Sequence, residues 1–240
     1  MKIALVTGAN RGIGLEVSRQ LATLGFKVYM GMRNPESNRD LTDDLLAQGL
    51  NIVPVKLDVT KTADVREVQT LIKQNEKRID VLVNNAGVMV LGDTILDIDP
   101  EKWDQSVAAN LRGPYLCSRS VLPWMIEQGR GSIINLGSRM GNDHAQGGGV
   151  LYSATKAAVH MFSFCLADEV REHNIAVNIL SPGGLKTEGS ADIPWTQRDW
   201  EQRVEPEAVG PSAVYLALQD ASTLTGQLVL RAEFGETWGT

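Results

Sequence analysis

The sequence predicts an α/β fold in which about seven parallel strands form a doubly wound sheet with helices on both faces. Short apolar runs rich in β-branched residues alternate along the chain with longer stretches whose apolar residues recur at helical spacing. Most of the short runs lack a polar/apolar alternation, which is typical of parallel strands buried on both faces. Glycine, asparagine and aspartate follow these strands, at the edge where a doubly wound sheet binds its ligand.

Four strands and three helices are predicted in the first half of the chain. Gly25 and Gly49 fall where the first two helices end. Thr60 and Thr62 precede acidic residues, which is a capping pattern for the third helix. The predicted strands are 3–6, 27–32, 51–57 and 80–84, and the predicted helices are 12–24, 41–48 and 62–75.

Three more strands are predicted in the second half, and the segment after the sixth strand breaks the pattern. A polar, tryptophan-bearing stretch at 188–205 precedes the last helix, and we expect it to form a small substrate lid. No repeat or linker interrupts the chain, so residues 1–240 are expected to form a single domain. The predicted strands are 131–136, 175–180 and 227–232, and the predicted helices are 100–128, 152–173 and 207–219.

The composition of the chain argues against several classes of protein. The formal net charge is −6 and the basic residues are scattered, so nucleic acid and anionic membranes are not expected as partners. No uninterrupted apolar run reaches the roughly 18 residues of a membrane span, and the chain starts directly in the first strand. Cys117 and Cys165 lack metal-ligand spacing and are expected as buried free thiols. We therefore expect a cytoplasmic protein without a bound metal.

A glycine-rich loop, TGANRGIG at 7–14, follows the first strand. Such a loop presents backbone N–H groups and a helix N-terminus at one point, which favours a phosphate group. Gly8, Gly12 and Gly14 provide positive φ and leave space for a pyrophosphate. Their spacing, G-x-x-x-G-x-G, differs from the G-x-G-x-x-G dinucleotide fingerprint. A glycine-rich turn that binds nothing is therefore the alternative.

The end of the second strand indicates which cofactor this loop would hold. An acidic residue there would bind a ribose 2′-hydroxyl, but this strand ends in Gly31-Met32-Arg33. Arg33 and Arg11 are two cations that could pair with a 2′-phosphate, for which guanidinium groups have suitable bidentate geometry. The pattern favours NADP(H), while Glu36 and Asp40 leave NAD(H) open.

Tyr152 and Lys156 stand four residues apart in a predicted helix and therefore share one of its faces. A phenol with a pKa of about 10 exchanges protons poorly at neutral pH, and a nearby cation lowers that pKa. Ser138 follows the fifth strand, where its hydroxyl would donate a hydrogen bond to a substrate carbonyl. Taken singly, the pair is common by chance and the serine is an ordinary turn former.

In combination, these motifs resemble those of the short-chain dehydrogenase/reductase family, and carbonyl reductases and 3-oxoacyl-carrier-protein reductases in particular. They occur in the order of the family and cover nearly the whole chain. The matching parts are 7–14 (TGANRGIG), Asp58, 84–87 (NNAG), Asn110, Ser138, Tyr152-x-x-x-Lys156 and Pro182-Gly183 with Thr187. The loop between Ser138 and Tyr152 departs from the family pattern, because it is one residue longer.

The resemblance implies a Rossmann-like sheet and hydride transfer between a nicotinamide and a carbonyl or alcohol carbon. Tyr152 would donate the proton in reduction and accept it in oxidation. Lys156 would bind the nicotinamide ribose and lower the pKa of Tyr152, and Ser138 would orient and polarise the carbonyl. Asn110 would hold a water that links Lys156 to solvent, although a mid-helix asparagine is otherwise most often a solvated surface residue.

The resemblance also implies cofactor contacts along the strand ends. Asp58 and Val59 would hold the adenine, and Thr187 would contact the carboxamide or the phosphates. The full set is Gly8, Asn10, Arg11, Gly12, Ile13, Gly14, Arg33, Asp58, Val59, Asn84, Ala86, Gly87, Tyr152, Lys156, Pro182, Gly183, Leu185 and Thr187. The substrate candidates are Ser138, Met140, His144 and Trp195. The predicted pocket is mostly apolar, which favours a ketone or aldehyde of moderate hydrophobicity as the small-molecule substrate.

Three functions are open on this basis. The leading one is an NADPH-dependent carbonyl reductase; the others are an NAD-dependent alcohol dehydrogenase working in the oxidative direction and a nucleotide-binding scaffold without catalysis. Relatives commonly associate through the helices at 103–128 and 152–172, so the resemblance implies a homotetramer or homodimer. The apolar residues expected on those outer faces are Val121, Trp124, Met161 and Phe164.

Overall fold

A computed structural model of the protein describes residues 1–143, 147–191 and 193–240. Across these ranges, seven strands form one parallel sheet in the order β3-β2-β1-β4-β5-β6-β7. The chain order reverses between β1 and β4, which opens a crevice at the carboxyl ends of the strands. The predicted fold class is confirmed. The strands are β1 Ile3–Thr7, β2 Lys27–Met32, β3 Ile52–Lys56, β4 Val81–Asn84, β5 Gly131–Leu136, β6 Ile175–Ser181 and β7 Leu228–Leu230.

Eight α-helices cover the two faces of the sheet in the described ranges. The helix predicted at 100–128 is two helices joined by a π-helical turn at Ala108–Arg112. The segment at 188–205 contains one short helix and a 3-10 stretch, Pro194–Gln202. The helices are α1 Gly12–Thr23, α2 Arg39–Ala47, α3 Thr62–Asn75, α4 Pro100–Val107, α5 Gly113–Gln128, α6 Val150–Glu169, α7 Glu188–Ala191 and α8 Gly210–Ala217.

The apolar runs of the strands are explained by two separate cores. In β1, Ala4 and Val6 pack on the side of α1 and α8, whereas Ile3 and Leu5 pack on the side of α3, α5 and α6. Because successive side chains point to opposite faces, a strand covered by helices on both sides is apolar throughout. The lack of polar/apolar alternation in the strand sequences is therefore explained by burial on both faces of the sheet.

The exposure of the two long helices differs from expectation at several apolar positions. Val121 and Trp124 of α5 are buried in the core, whereas Met161 and Phe164 of α6 are exposed. The surface interpretation was therefore wrong for the first pair, because α5 turns these residues towards α3 and the sheet. Both cysteines are free, but only Cys117 is buried; Cys165 is exposed, so the prediction of a buried thiol was wrong for it.

Among the described helices, α6 alone has the length and mean hydropathy that a membrane span needs. It packs against β6 in this fold, and its Lys156 and His160 side chains are buried within the protein. Core helices of folded proteins commonly have this composition. The helix is therefore accounted for by packing against the sheet.

Candidate active site

The glycine loop closes tightly on itself between β1 and α1. Gly8 has φ +65° and Gly12 has φ +53°, in the left-handed region that favours glycine. A Cβ atom on Gly14 would lie 2.3 Å from the Gly8 carbonyl oxygen and 2.4 Å from Asn85 Nδ2. Arg11 caps α1 without a side-chain hydrogen bond, so the first backbone N–H groups of this helix are directed into the crevice.

Asn85 ties this loop to the end of β4. Its Nδ2 donates to the carbonyl oxygens of Thr7 and Gly8 at 2.8 and 3.0 Å. Sequence reasoning selected Asn84 instead, whose Nδ2 lies on the other side of the sheet and donates to Asn135 Oδ1 at 2.8 Å. Neighbouring residues of a strand face opposite ways, so the alternation along β4 was the signal that could have separated the two asparagines.

Two arginines are exposed at the open side of the loop. Arg11 precedes α1 and Arg33 follows β2. The Asp58 carboxylate, just after β3, accepts hydrogen bonds from the Thr60 backbone N–H at 3.0 Å and its hydroxyl at 2.7 Å. Partial burial alone would raise the pKa of Asp58, but these hydrogen bonds and the charges of Lys61 and Arg33 outweigh it and lower the pKa.

The adenine contact implied for Val59 does not involve an exposed side chain. Val59 is 6 % exposed and packs in the core on the α3 side of the sheet. A Cβ atom on Gly113 would lie 2.8 Å from Val59 Cγ2. The Val59 side chain is therefore part of the core rather than of a nucleotide site.

Tyr152, Ser138 and Lys156 come together where β5 ends beside α6. The Ser138 hydroxyl accepts a hydrogen bond from the Met140 backbone N–H at 3.2 Å, and it lies near enough to the Tyr152 phenol to lower the pKa of that group. Lys156 Nζ lies 5.6 Å from the centroid of the Tyr152 ring and donates to the Leu136 carbonyl oxygen at 2.6 Å. The three side chains are therefore held by the strand end and one helix face.

The electrostatics of this corner are dominated by burial. Desolvation raises the pKa of Tyr152 and outweighs the opposite effect of its hydrogen bond with Ser138. Burial lowers the pKa of Lys156 to about 8. At neutral pH the phenol is therefore protonated and most of the lysine is charged.

Asn110 lies in the π-helical turn between α4 and α5, and it is buried. Its Oδ1 accepts from the Val88 N–H at 2.7 Å, and its Nδ2 donates to the Val88 carbonyl at 2.9 Å and to Thr155 Oγ1 at 3.0 Å. Both amide hydrogens are used, so the side chain holds the loop after β4 against α6. A π-helical turn inside a helix is frequent at functional sites.

The segment after β6 approaches the glycine loop. A Cβ atom on Gly12 would lie 3.2 Å from Thr187 Cβ. Leu185, which the resemblance placed on the cofactor, is 3 % exposed and packs into the core beside α1 and α8. Sequence reasoning missed Arg231, whose Nε donates to the Pro182 carbonyl at 2.7 Å and fixes this turn.

A cavity of about 490 Å³ lies between α1 and the segment that starts at Lys186. It is lined on one side by Gly12 and Leu15 and on the other by Thr187 and Trp200. Of the substrate candidates, Met140 is half-buried beside Ser138, whereas His144 and the side chain of Trp195 lie outside the described residues.

The sheet is parallel, the glycine loop lies where the strand order reverses, and a tyrosine–lysine pair adjoins it. These features define an oxidoreductase with a doubly wound sheet. The chain belongs to the short-chain dehydrogenase family, whose model matches residues 2–198. An uncharacterised oxidoreductase of Staphylococcus aureus (strain MRSA252) is 31 % identical over 230 residues, which are 96 % of each chain.

Solved structures of related proteins share the fold. A gluconate 5-dehydrogenase from Burkholderia cenocepacia, in complex with NADP and tartrate, matches with a TM-score of 0.85 at 29 % identity over 95 % of this chain and 92 % of its own. A variant of the actinorhodin polyketide ketoreductase with NADPH matches with a TM-score of 0.85 at 29 % identity over 95 % of each chain.

Proposed function

We propose that the protein transfers a hydride reversibly from NADPH to the carbonyl carbon of a ketone or aldehyde, with Tyr152 as the proton donor. The observation that carries this proposal is the convergence of three side chains at one corner: the Lys156 ammonium lies 5.6 Å from the centroid of the Tyr152 ring, and the Ser138 hydroxyl acts on the phenol of the same residue. The glycine loop opens at the same edge of the sheet. A nucleotide bound there would reach this corner.

The loop fits a dinucleotide by its shape. The backbone conformations of Gly8 and Gly12 and the contact at Gly14 leave a cradle that side chains would fill. In this proposal, Asn10, Ile13, Ala86 and Gly87 would contact the nucleotide around it. Gly183 and Thr187 follow β6 and would approach the nicotinamide half.

A preference for NADPH is supported by the charges at the end of β2. Arg33 is exposed there, and the Glu36 carboxylate that would favour a ribose hydroxyl is paired with Arg39. A guanidinium group binds a phosphate through charge-assisted hydrogen bonds. The related structures that hold NADP or NADPH support the same choice, while Asp40 leaves NAD(H) as the second candidate.

The chemistry divides between the cofactor and this chain. Bound NADPH supplies the hydride. The Ser138 hydroxyl donates a hydrogen bond to the carbonyl oxygen and orients it, and Tyr152 gives its phenolic proton to that oxygen. The raised pKa of Tyr152 keeps the phenol protonated, as a proton donor for reduction requires. The Lys156 charge stabilises the phenolate that remains.

The assembly of the protein is a second part of the proposal. We propose a single-domain subunit in which 188–205 forms the substrate lid, in a cytoplasmic homodimer or homotetramer. Met161, Phe164 and Tyr115 are exposed apolar residues on α6 and α5. An exposed apolar surface of this kind is a feature of subunit interfaces.

A Tyr152→Phe variant tests the reaction. We expect kcat for reduction of a panel of ketones and aldehydes to fall at least about 100-fold, because the proton donor is lost. The Kd for NADPH, followed by nicotinamide fluorescence, should stay within about twofold, since that phenol is not needed for nucleotide affinity. Tyr215→Phe is the matched control, because Tyr215 lies in an aromatic cluster with Phe234 and Trp238.

The alternatives predict other outcomes of the same assay. Turnover unchanged by Tyr152→Phe would contradict the proposed mechanism. Oxidation of alcohols with NAD⁺ and no reduction with NADPH would identify the NAD-dependent alcohol dehydrogenase. Nucleotide binding without turnover in either direction would identify a scaffold.

A further inference from the structure

His160 is a buried histidine that the proposed reaction does not use. It follows Lys156 by one helical turn, as Lys156 follows Tyr152, so the three residues share one face of α6. Its side chain is 4 % exposed. A buried imidazole is costly unless its nitrogen atoms form hydrogen bonds, so its partners show what the residue holds.

The His160 ring faces the backbone of the turn that carries Ser138. The Ser138 backbone N–H donates to His160 Nε2 at 3.3 Å. The backbone of Gly141, three residues further along, also acts on the ring and favours its protonated form. Because Nε2 accepts from the Ser138 N–H, the proton of the neutral ring is on Nδ1.

Two glycines allow the turn to lie directly on this face of α6. A Cβ atom on Gly137 would lie 2.7 Å from His160 Nε2. A Cβ atom on Gly141 would lie 2.6 Å from the Lys156 carbonyl carbon. The turn at 137–141 is therefore in contact with α6 at both ends, and the imidazole is the polar group that bridges them.

The ring is neutral at the pH at which the enzyme would work. Burial, followed by the charge of Lys156, lowers the pKa of His160 to about 4, against the opposing hydrogen bond to Gly141. A neutral ring with its proton on Nδ1 keeps Nε2 as the acceptor that the turn needs. Protonation would remove the acceptor for the Ser138 N–H.

We propose that His160 is a positioning residue, which holds the backbone of Ser138 and thereby sets the Ser138 hydroxyl against the Tyr152 phenol. The kinetic part of this inference rests on the proposed function. Its structural part, the bond between an imidazole and a turn, does not. No contact of His160 with substrate or cofactor is involved.

Two variants of His160 separate positioning from packing. His160→Leu fills the space without an acceptor, and His160→Gln provides an amide oxygen that can accept from the Ser138 N–H. We expect His160→Leu to lower kcat about tenfold, because a displaced catalytic group costs up to roughly 100-fold, with an unchanged KM for NADPH. His160→Gln should recover most of this loss. His173→Gln, at a residue paired with Glu172 outside the site, is the control.

Nitrogen NMR on histidine-labelled protein gives a readout that is independent of turnover. The chain contains three histidines, and one of them should have the proton on Nδ1 and stay neutral down to a pH of about 4. That signal should be missing in His160→Gln. The inference would be overturned if the signal that disappears in His160→Gln belongs to a ring with its proton on Nε2, or to a ring that titrates at an ordinary pKa.

The ring-carbon resonance of Tyr152 connects the two parts. It should shift in His160→Leu and return in His160→Gln, because the Ser138 hydroxyl moves relative to the phenol and then regains its position. Equal kcat in wild type and His160→Leu, with this resonance unmoved, would overturn the positioning role. If no carbonyl compound is reduced at all, the proposed function fails, and the Tyr152 resonance alone then decides the inference.

Discussion

The glycine loop after β1 and the corner formed by Ser138, Tyr152 and Lys156 are built by opposite means. At the glycine loop, the backbone comes close because side chains are missing, as the Gly14 contact of 2.3 Å shows. Beside α6, polar side chains are buried, and Lys156 and His160 have pKa values lowered by desolvation. The first region is stabilised by its own packing, whereas the second holds charges at a cost to stability.

The cost at Lys156 follows from its pKa. Folding lowers this pKa from 10.5 to about 8. Below pH 8 the lysine is charged in both the folded and the unfolded protein, and the folded state then bears a cost of about 3 kcal/mol. The cost disappears as the pH rises from 8 to 10.5, because the buried amine becomes neutral first. The proposed reaction requires a charged Lys156, whereas the stability of the fold favours a neutral one.

Replacing Lys156 with methionine should have the largest effect and would separate these demands. We expect kcat/KM to fall about 1,000-fold, because the charge that stabilises the phenolate is lost. The free energy of unfolding at pH 7 should rise by about 1–2 kcal/mol, since the desolvation cost exceeds the lost hydrogen bond to Leu136. Urea denaturation measures this change. A variant that is both inactive and less stable would contradict the stability cost assigned to the buried Lys156.

The pH dependence of the same pair provides a second check on the sign. Between pH 8 and 10.5, wild-type stability should rise relative to Lys156→Met, because the unfolded state binds more protons than the folded state in this window. A constant difference between the two proteins across that range would show that the lysine is not desolvated.

Adding a methyl group at Gly14 should have the next largest effect and lower both stability and binding. The new Cβ would lie 2.3 Å from the Gly8 carbonyl oxygen, so the loop must move. We expect Gly14→Ala to weaken NADPH at least about 100-fold, which is roughly 2.7 kcal/mol. Fluorescence titration measures it. Gly147→Ala is the matched control, because its Cβ would meet no atom of the described residues within 4 Å.

The smallest expected effect is at Arg33, an exposed cation at the open side of the glycine loop. Arg33→Ala should weaken NADPH about tenfold, or roughly 1.4 kcal/mol, and leave NADH within about twofold. Arg39→Ala is the control, because that arginine is paired with Glu36. Equal weakening of both nucleotides would mean that Arg33 does not read the 2′-phosphate.

Most of the fold could be predicted from the sequence, because parallel strands buried on both faces are apolar throughout and glycine marks the turns between elements. The packing of side chains could be predicted less well. Val121 and Trp124 look like surface residues only if α5 is assumed to bury one stripe, yet this helix lies between α3 and the sheet. Burial by two neighbours follows from tertiary arrangement, which helical spacing does not contain.

The candidate site shows the same limit at the level of single side chains. The motif spacing predicted Ser138, Tyr152 and Lys156 as site residues, and the structure places them together. This spacing could not show that Asn110 is buried. The side chain of this residue forms hydrogen bonds with Val88 and Thr155, which are brought to it only by the tertiary arrangement. His160 escaped for a similar reason, since its partners are backbone atoms of a distant turn that leave no residue pattern.

The arrangement of Tyr152, Lys156 and His160 on one face of α6 has a consequence for insertions and deletions. Each residue added to a helix turns everything beyond it by about 100°. An insertion between Tyr152 and His160 would thus remove the imidazole from the Ser138 turn, whereas one at Gly147 or Gly148 would lengthen the loop and leave the helix face intact. The common placement of these three residues is therefore compatible with changes of loop length ahead of α6, but not with changes of length inside the helix.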